Sequence, residues 1–302
     1  MRAWLNGKLL DSPESVVLTV LDHGFIVGDG VFETVQVLEG RPFALTRHLD
    51  RLTRSAVGLR LAAPDLASLR EGVAATVADQ DIPFGRIRIT VTSGMGPLGS
   101  LRGHHGQTSV VVTEPCPRPP SATSIVTVPW PRNERSSVAG LKTTSYAENA
   151  LMVAYAAERG ASEAVMPNTT GALCEGTGSN IFYVLDGEVV TPSLESGCLA
   201  GITRALLLEW CGTLIDVSER DEPIEILQRA QEVFLVSTTR DVQAVARVDD
   251  RSLAAPGRIT AQLARLWARE SIKDWEPQVL ASAVLLASGQ SRGTVPRANT
   301  TS

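Results

Sequence analysis

The sequence predicts an α+β protein of two domains. Three observations carry this: two helical periods stand between alternating strands in the first third, a proline cluster interrupts the chain near residue 117, and strands and helices intermingle again beyond it. At 302 residues the chain can bury a large core, or two smaller ones.

The N-terminal stretch "MRAWLNGKLLDS" sets two short apolar runs about Asn6-Gly7, the strongest short-range hairpin signal, and leaves Lys8 flanking a surface turn. "GVFETVQV" from Gly30 to Val37 alternates as a strand and "LEGRPF" turns. "ALTRHLDRLTRSAVGL" has helical periodicity through Leu45, Leu49, Leu52 and Val57. A second helix is predicted over Leu66 to Ala78, then strands at "GRIRITVTS" and "TSVVVTE". Between Glu114 and Thr123, "EPCPRPPSAT" packs four prolines into ten residues, which stops helices and ladders and reads as a stiff extended linker. The predicted division is a small N-terminal α/β domain at 1–116, a linker at 117–124, a larger domain at 125–275 and a tail at 276–302. The larger domain holds "SIVTVPW", a helix from about Ser145 to Arg159, strands "EAVMP", "NIFYVL" and "EVVTP", a helix "TRALLLEWCG", a buried strand "EVFLVST" and a last helix from about Ile259 to Ile272. Within the tail, "VLASAVLLA" reads as a short helix or sticky segment, and the stretch from Gly289 has too little apolar surface to fold by itself, so disorder is expected.

The formal net charge of −5 argues against nucleic acid as the main partner, since phosphate neutralisation needs clustered positive charge. The nine-residue apolar run near the end is about half of what a membrane span needs. The four cysteines form no CxxC pair, so a reduced cytoplasm is the expected location.

Gly94, Gly96 and Gly99 form a GxGxxG pattern after a strand, but Pro97 and a further strand follow where a dinucleotide site needs a helix, so a loop is the better reading. His104 and His105 are adjacent and cannot face one ion from a single element, and His23 and His48 stand alone; no metal site is expected. In "CEGTGSNIF" a tight turn of small residues delivers Glu175, which reads equally well as a solvated loop carboxylate. "GITRALLLEW" puts Ile202 and Thr203 at a helix start, where free amides and a hydroxyl suit a phosphate, though an ordinary Thr cap has the same appearance. Ser237-Thr238-Thr239 ends a strand, a common place for a ligand. Finally, the chain uses arginine for almost all of its basic charge and has only three lysines, Lys8, Lys142 and Lys273, of which Lys142 lies among apolar and small residues.

The order of these features resembles a known family. The run from Glu175 to Arg204, with Asn180-Ile181-Phe182, Thr191 and Leu199-Ala200-Gly201-Ile202-Thr203-Arg204, is similar to the signature of the class IV aminotransferases, the fold type IV pyridoxal-phosphate enzymes. "GDGVFETVQVLEGRPFALTRHLDRLTRSA" and "LKTTSYAENALMVAYAAERGASEAV" resemble the family's N-terminal and lysine regions. The resemblance covers about residues 1 to 270 and implies a small α/β domain, a larger one with a β-barrel-like core, pyridoxal 5'-phosphate between them, and a homodimer.

By the same resemblance Lys142 would form the Schiff base and move the proton, a task a guanidinium cannot perform. Glu175 would hold the pyridine nitrogen protonated. Arg51, Ile202, Thr203 and Thr238 would bind the cofactor phosphate, and Thr239 would meet the substrate carboxylate through its backbone. Thr34 stands where 4-amino-4-deoxychorismate lyases carry threonine, which makes that lyase, yielding 4-aminobenzoate and pyruvate for folate synthesis, the leading expectation. Gln36 and Ser93 depart from the lyase pattern, so an aminotransferase for branched-chain or D-amino acids follows closely. A nicotinamide enzyme or a non-catalytic relative is the distant alternative. Tyr146, one turn beyond Lys142, reads as a site residue or a core contact.

Overall fold

The computed structural model describes residues 1–15, 17–212 and 215–275. Residues up to 115 form an antiparallel sheet in the order β2-β1-β6-β5-β3-β4, from β1 (Arg2–Leu5), β2 (Lys8–Leu9), β3 (Gly30–Leu38), β4 (Arg41–Pro42), β5 (Phe84–Thr92) and β6 (Thr108–Pro115). A single turn of helix, α1 (His23–Ile26), precedes β3, and α2 (Leu45–Gly58) and α3 (Leu66–Val77) cover one face. The predicted hairpin forms with positive φ at both Asn6 and Gly7, as a tight two-residue connection demands.

Under α2 and α3 the core comprises Trp4, Val35, Leu49, Leu52, Leu69, Ile87 and Val111. Burying each such side chain contributes roughly 1.5–3 kcal/mol. One inward position differs from expectation: Val57 is 56% exposed and Ala56 takes its place, because the step of four from Leu52 lands on residue 56.

Residues from 122 onward form a mixed sheet in the order β12-β11-β10-β13-β14-β7-β8-β9, with β15 paired to β14. The strands are β7 (Ala122–Thr127), β8 (Glu163–Pro167), β9 (Leu173–Gly176), β10 (Asn180–Leu185), β11 (Glu188–Thr191), β12 (Val217–Glu219), β13 (Glu232–Ser237), β14 (Asp241–Val248) and β15 (Arg251–Ser252). The sheet curls about Ile125, Val165, Ile181, Tyr183, Leu235 and Val245, so the chain has the α+β class and curled core expected of it. Helix α4 (Ala147–Glu158) joins β7 to β8, while α5 (Ile202–Cys211) and α6 (Arg258–Glu270) pack outside β10 and β13 through Leu207 and Leu263 against the stacked Phe182 and Phe234.

Phe43 and Ala44, just before α2, bury against Ile202 and Leu206 of α5 and Trp267 of α6. An exposed Arg47–Glu209 pair at 2.9 Å spans the same joint. This contact sets α2 of the first sheet against the N-terminus of α5 of the second, and the candidate site lies there. Among the described residues no helix is long and apolar enough to cross a membrane. The segment "VLASAVLLA" and the tail lie outside the described residues.

Candidate active site

A cavity of about 910 Å³ opens between the two sheets, within the range of small-molecule sites. Lys142, Glu175, Arg51, Ile202, Thr203, Thr238, Thr239, Thr34 and Tyr146 all line it. Lys8 and Lys273 are on the surface.

The Lys142 segment is a short extended piece laid against the start of β3. The Lys142 carbonyl accepts from the Phe32 amide at 3.0 Å, the Thr144 amide donates to the Gly30 carbonyl at 2.8 Å, and the Lys142 amide donates to Ser55 Oγ at 3.1 Å. The hydroxyls of Thr144 and Ser145 both donate to the Gly28 carbonyl. Gly28 has a φ of 68° and its Cα faces Ser145 Oγ so closely that a Cβ would intrude. Lys142 Nζ lies 4.3 Å from the Phe32 ring centroid and 5.6 Å from that of Tyr146, and the two rings meet edge to face. Burial pulls the amine down to about 8, with the Arg51 charge adding to it, so far more of it is neutral near neutral pH than of an unburied lysine.

Glu175 stands in β9 rather than in the turn expected from "CEGTGSNIF"; the turn follows it, at 177–179. Buried Glu163 on β8 shapes that turn, accepting from the Thr177 amide at 3.0 Å, the Ser179 hydroxyl at 3.0 Å and the Thr177 hydroxyl. The register then pairs Glu175 with Met166. One Glu175 oxygen accepts the Leu199 amide at 3.0 Å and the other lies 3.3 Å from Arg132 Nε. Burial raises this carboxyl above the ordinary range, and Arg132 and the Leu199 amide oppose the rise.

The third wall is rich in donors. No side chain caps α5: its N-cap is Gly201, not Thr203, which is the second residue of the helix with its hydroxyl buried and unpartnered. The first-turn amides of such a helix have no internal acceptor. A Cβ on Gly201 would collide with Asn180 Oδ1, which fixes the glycine. Facing this end, His48, Arg51 and Ser55 share one face of α2. Arg51 Nε and Nη2 donate to the two oxygens of Glu33 at 2.8 and 2.7 Å, and its Nη1 donates to the Ala200 carbonyl at 3.0 Å. Two of its five N–H groups stay free for an anion. His48 Nδ1 donates to Glu33 at 2.7 Å, and its Nε2 lies 3.5 Å from the Thr238 hydroxyl. Burial alone would raise the Glu33 carboxyl, but the Arg51 charge and the hydrogen bonds from Arg51 and His48 hold it at about 2. Burial keeps His48 below its usual range and hence neutral.

Arg47 and Arg54, on neighbouring turns of α2, are both exposed, whereas Arg51 is buried. The Gly94 loop leads into β6 without opening a helix, so the dinucleotide pattern has no structural support. Sequence reasoning missed Glu33, Arg132 and Arg88. Glu33 carried a usable signal: strand alternation puts it on the face away from Phe32 and Thr34, where a lone carboxylate needs a buried cation.

The sequence pattern of the family "Amino-transferase class IV" matches residues 30–248. A branched-chain aminotransferase from Thermoproteus uzoniensis superposes with a TM-score of 0.83 at 30% identity, over 92% of this chain and 97% of that one. A D-alanine aminotransferase of Staphylococcus haemolyticus is 27% identical over 87% of this chain and 95% of its own length. An aminodeoxychorismate lyase of Bacillus subtilis is 24% identical over 88% and 94%. With nearly three quarters of its length in the family pattern and the lysine, carboxylate and uncapped helix around one cavity, the chain belongs to the class IV aminotransferases, enzymes that use pyridoxal 5'-phosphate.

Proposed function

We propose that this protein is an aminotransferase for small amino acids and keto acids, with Lys142 as its catalytic amine. The observation that carries the reading is the position of Lys142: it is the one lysine in the cavity, and it shares that cavity with Glu175 and with the uncapped α5 terminus and its unpartnered Thr203 hydroxyl. These groups fit pyridoxal phosphate. The amides of Ile202 and Thr203, the Thr203 hydroxyl, Thr238 and the free N–H groups of Arg51 would hold the phosphate. Glu175, which lines the same cavity, would pair with the ring nitrogen in its protonated form. When bound, the cofactor withdraws electrons from the substrate carbon that loses its proton. Lys142 would hold the cofactor through its amine and, in its neutral form, would take the proton from the substrate carbon and return it. Phe32, Thr34 and Tyr146 wall the substrate side, and the Thr239 backbone meets a substrate oxygen.

The aminodeoxychorismate lyase reading stands second, favoured by Thr34, which is half-buried in the cavity wall. Gln36, where those lyases resemble one another in carrying a cation, is instead buried and donates to Asp241 at 3.1 Å. Transamination is further supported by the greater identity to aminotransferases than to the lyase. A homodimer is supported by Phe25, which lines the cavity, and by Leu98 and Leu101 in the loop before β6, apolar side chains all more than three-quarters exposed. A cytoplasmic location is supported by four free cysteines.

The purified protein is expected to be yellow and to form glutamate from 2-oxoglutarate with D-alanine or L-leucine. Release of 4-aminobenzoate and pyruvate from aminodeoxychorismate without glutamate formation would establish the lyase instead. Light scattering at twice the chain mass would support the dimer; the single-chain mass would contradict it.

A further inference from the structure

Helix α2 divides its buried side chains into two stripes. Leu45, Leu49, Leu52 and Ala56 join the core between α2 and the first sheet. His48, Arg51 and Ser55 are the polar stripe, and they reach in turn the Thr238 hydroxyl, the Ala200 carbonyl and the main chain of Lys142.

Arg51 lines the cavity, whereas Ser55, only 1% exposed, stands behind its wall. Ser55 Oγ accepts the Lys142 amide at 3.1 Å, and the Lys142 carbonyl accepts the Phe32 amide at 3.0 Å. Both main-chain polar groups of the lysine are thus taken, one by α2 and one by β3. Gly58, the last residue of α2, adds a packing contact: a Cβ there would stand 2.6 Å from Leu141 Cδ2, so the leucine preceding Lys142 rests on bare helix backbone. The lysine stem then carries Nζ to 4.3 Å from the Phe32 ring centroid.

An amine that attaches a cofactor and also moves a proton has to reach two places from one Cα. A misplacement of about 1 Å in such a group can cost on the order of 100-fold in rate. Arg51 and Ser55 are four residues apart, a rise of about 6 Å along one helix face, so α2 sets the Arg51 guanidinium and the mount of Lys142 at a fixed separation. Alanine is the better helix former at such a position; what serine adds is an acceptor for an amide that would otherwise lack a partner.

We propose that Ser55 is a positioning residue for Lys142: through its hydroxyl, α2 holds the main chain of the catalytic lysine in register with the phosphate contact of Arg51. The proposal rests on the pyridoxal-phosphate reading above. It assigns Ser55 no contact with cofactor or substrate.

The test compares pyridoxal phosphate with pyridoxamine phosphate on the apoprotein of the full chain. The second compound offers the same phosphate and ring but has no aldehyde, so it cannot bond to Lys142. Ser55→Ala is expected to bind pyridoxamine phosphate within about twofold of the wild type and to combine with pyridoxal phosphate roughly tenfold more slowly, the equivalent of one hydrogen bond. Ser55→Thr, which keeps the oxygen, should recover most of that rate. Titration by fluorescence gives the affinities and stopped-flow absorbance gives the rates. An unaltered rate in Ser55→Ala, an equal weakening toward both compounds as a general structural defect would give, or no recovery in Ser55→Thr overturns the assignment of Ser55 alone. Wild-type protein that gives no absorbance change with pyridoxal phosphate overturns the parent reading as well.

Discussion

The Lys142 carbonyl and the Phe32 amide are joined at 3.0 Å, and the Lys142 amine returns to lie 4.3 Å from the Phe32 ring. One residue of β3 thus fixes both the backbone and the head group of the only lysine in the cavity. The ring also shields the amine from water, which favours its neutral form.

The rate at which the apoprotein combines with pyridoxal phosphate should therefore rise with pH and level off above about 8, because only the neutral amine attacks and burial has lowered the Lys142 amine to that value. Stopped-flow absorbance across the pH range checks this. An inflection near 10.5, the value of an unburied lysine, would contradict it.

Glu33 ties α2 to β3 through Arg51 and His48. Held near 2 in the folded protein against an ordinary 4.5, its carboxyl contributes stability that is fully present above pH 4.5 and lost as pH falls toward 2. Glu33→Gln should destabilise the apoprotein by on the order of 3 kcal/mol at pH 7, since it leaves Arg51 buried and unpaired, and the deficit should shrink at low pH. Denaturant unfolding at several pH values measures both effects. A deficit that is constant with pH would show that the carboxylate charge is not its source.

Thr203→Val should separate folding from cofactor binding. Its hydroxyl is buried without a partner, so removing it leaves apoprotein stability unchanged within about 1 kcal/mol or raises it, while pyridoxal phosphate binds roughly tenfold more weakly. Gly201→Ala should weaken binding further, since its Cβ displaces Asn180 from the helix start. Unfolding curves and cofactor titration on the same preparations test this, and unaltered affinity in Thr203→Val would remove Thr203 from the phosphate contacts.

The parts of this site readable in the sequence are those whose identity is local. Lys142 is conspicuous in an arginine-using chain, and Ile202 and Thr203 open a helix that Gly201 leaves uncapped. Tyr146 reads in the sequence as either a site residue or a core contact; in the structure it lines the cavity and meets Phe32 edge to face. The hidden parts are set by pairings across long separations. Glu33 meets Arg51 only once α2 packs on β3, Arg132 meets Glu175 only across the second sheet, and Arg88 meets Thr34 only through the β3–β5 register. β9 is not legible in the sequence because it is four residues long and ends in glycine, too short for a period and poor in strand-forming residues. Gly201 is not the cap the sequence predicts, because a hydroxyl such as that of Thr203, two residues on, is the commoner choice.

The central claim is that Lys142 carries the cofactor, and the scarcity of lysine makes it directly measurable. Borohydride reduction of the purified protein, followed by proteolysis and mass spectrometry, should place a pyridoxyl group on the peptide containing Lys142 and none on those containing Lys8 or Lys273. The label should disappear in Lys142→Ala. A label on Lys8 or Lys273, or none on a protein saturated with pyridoxal phosphate, would contradict the account.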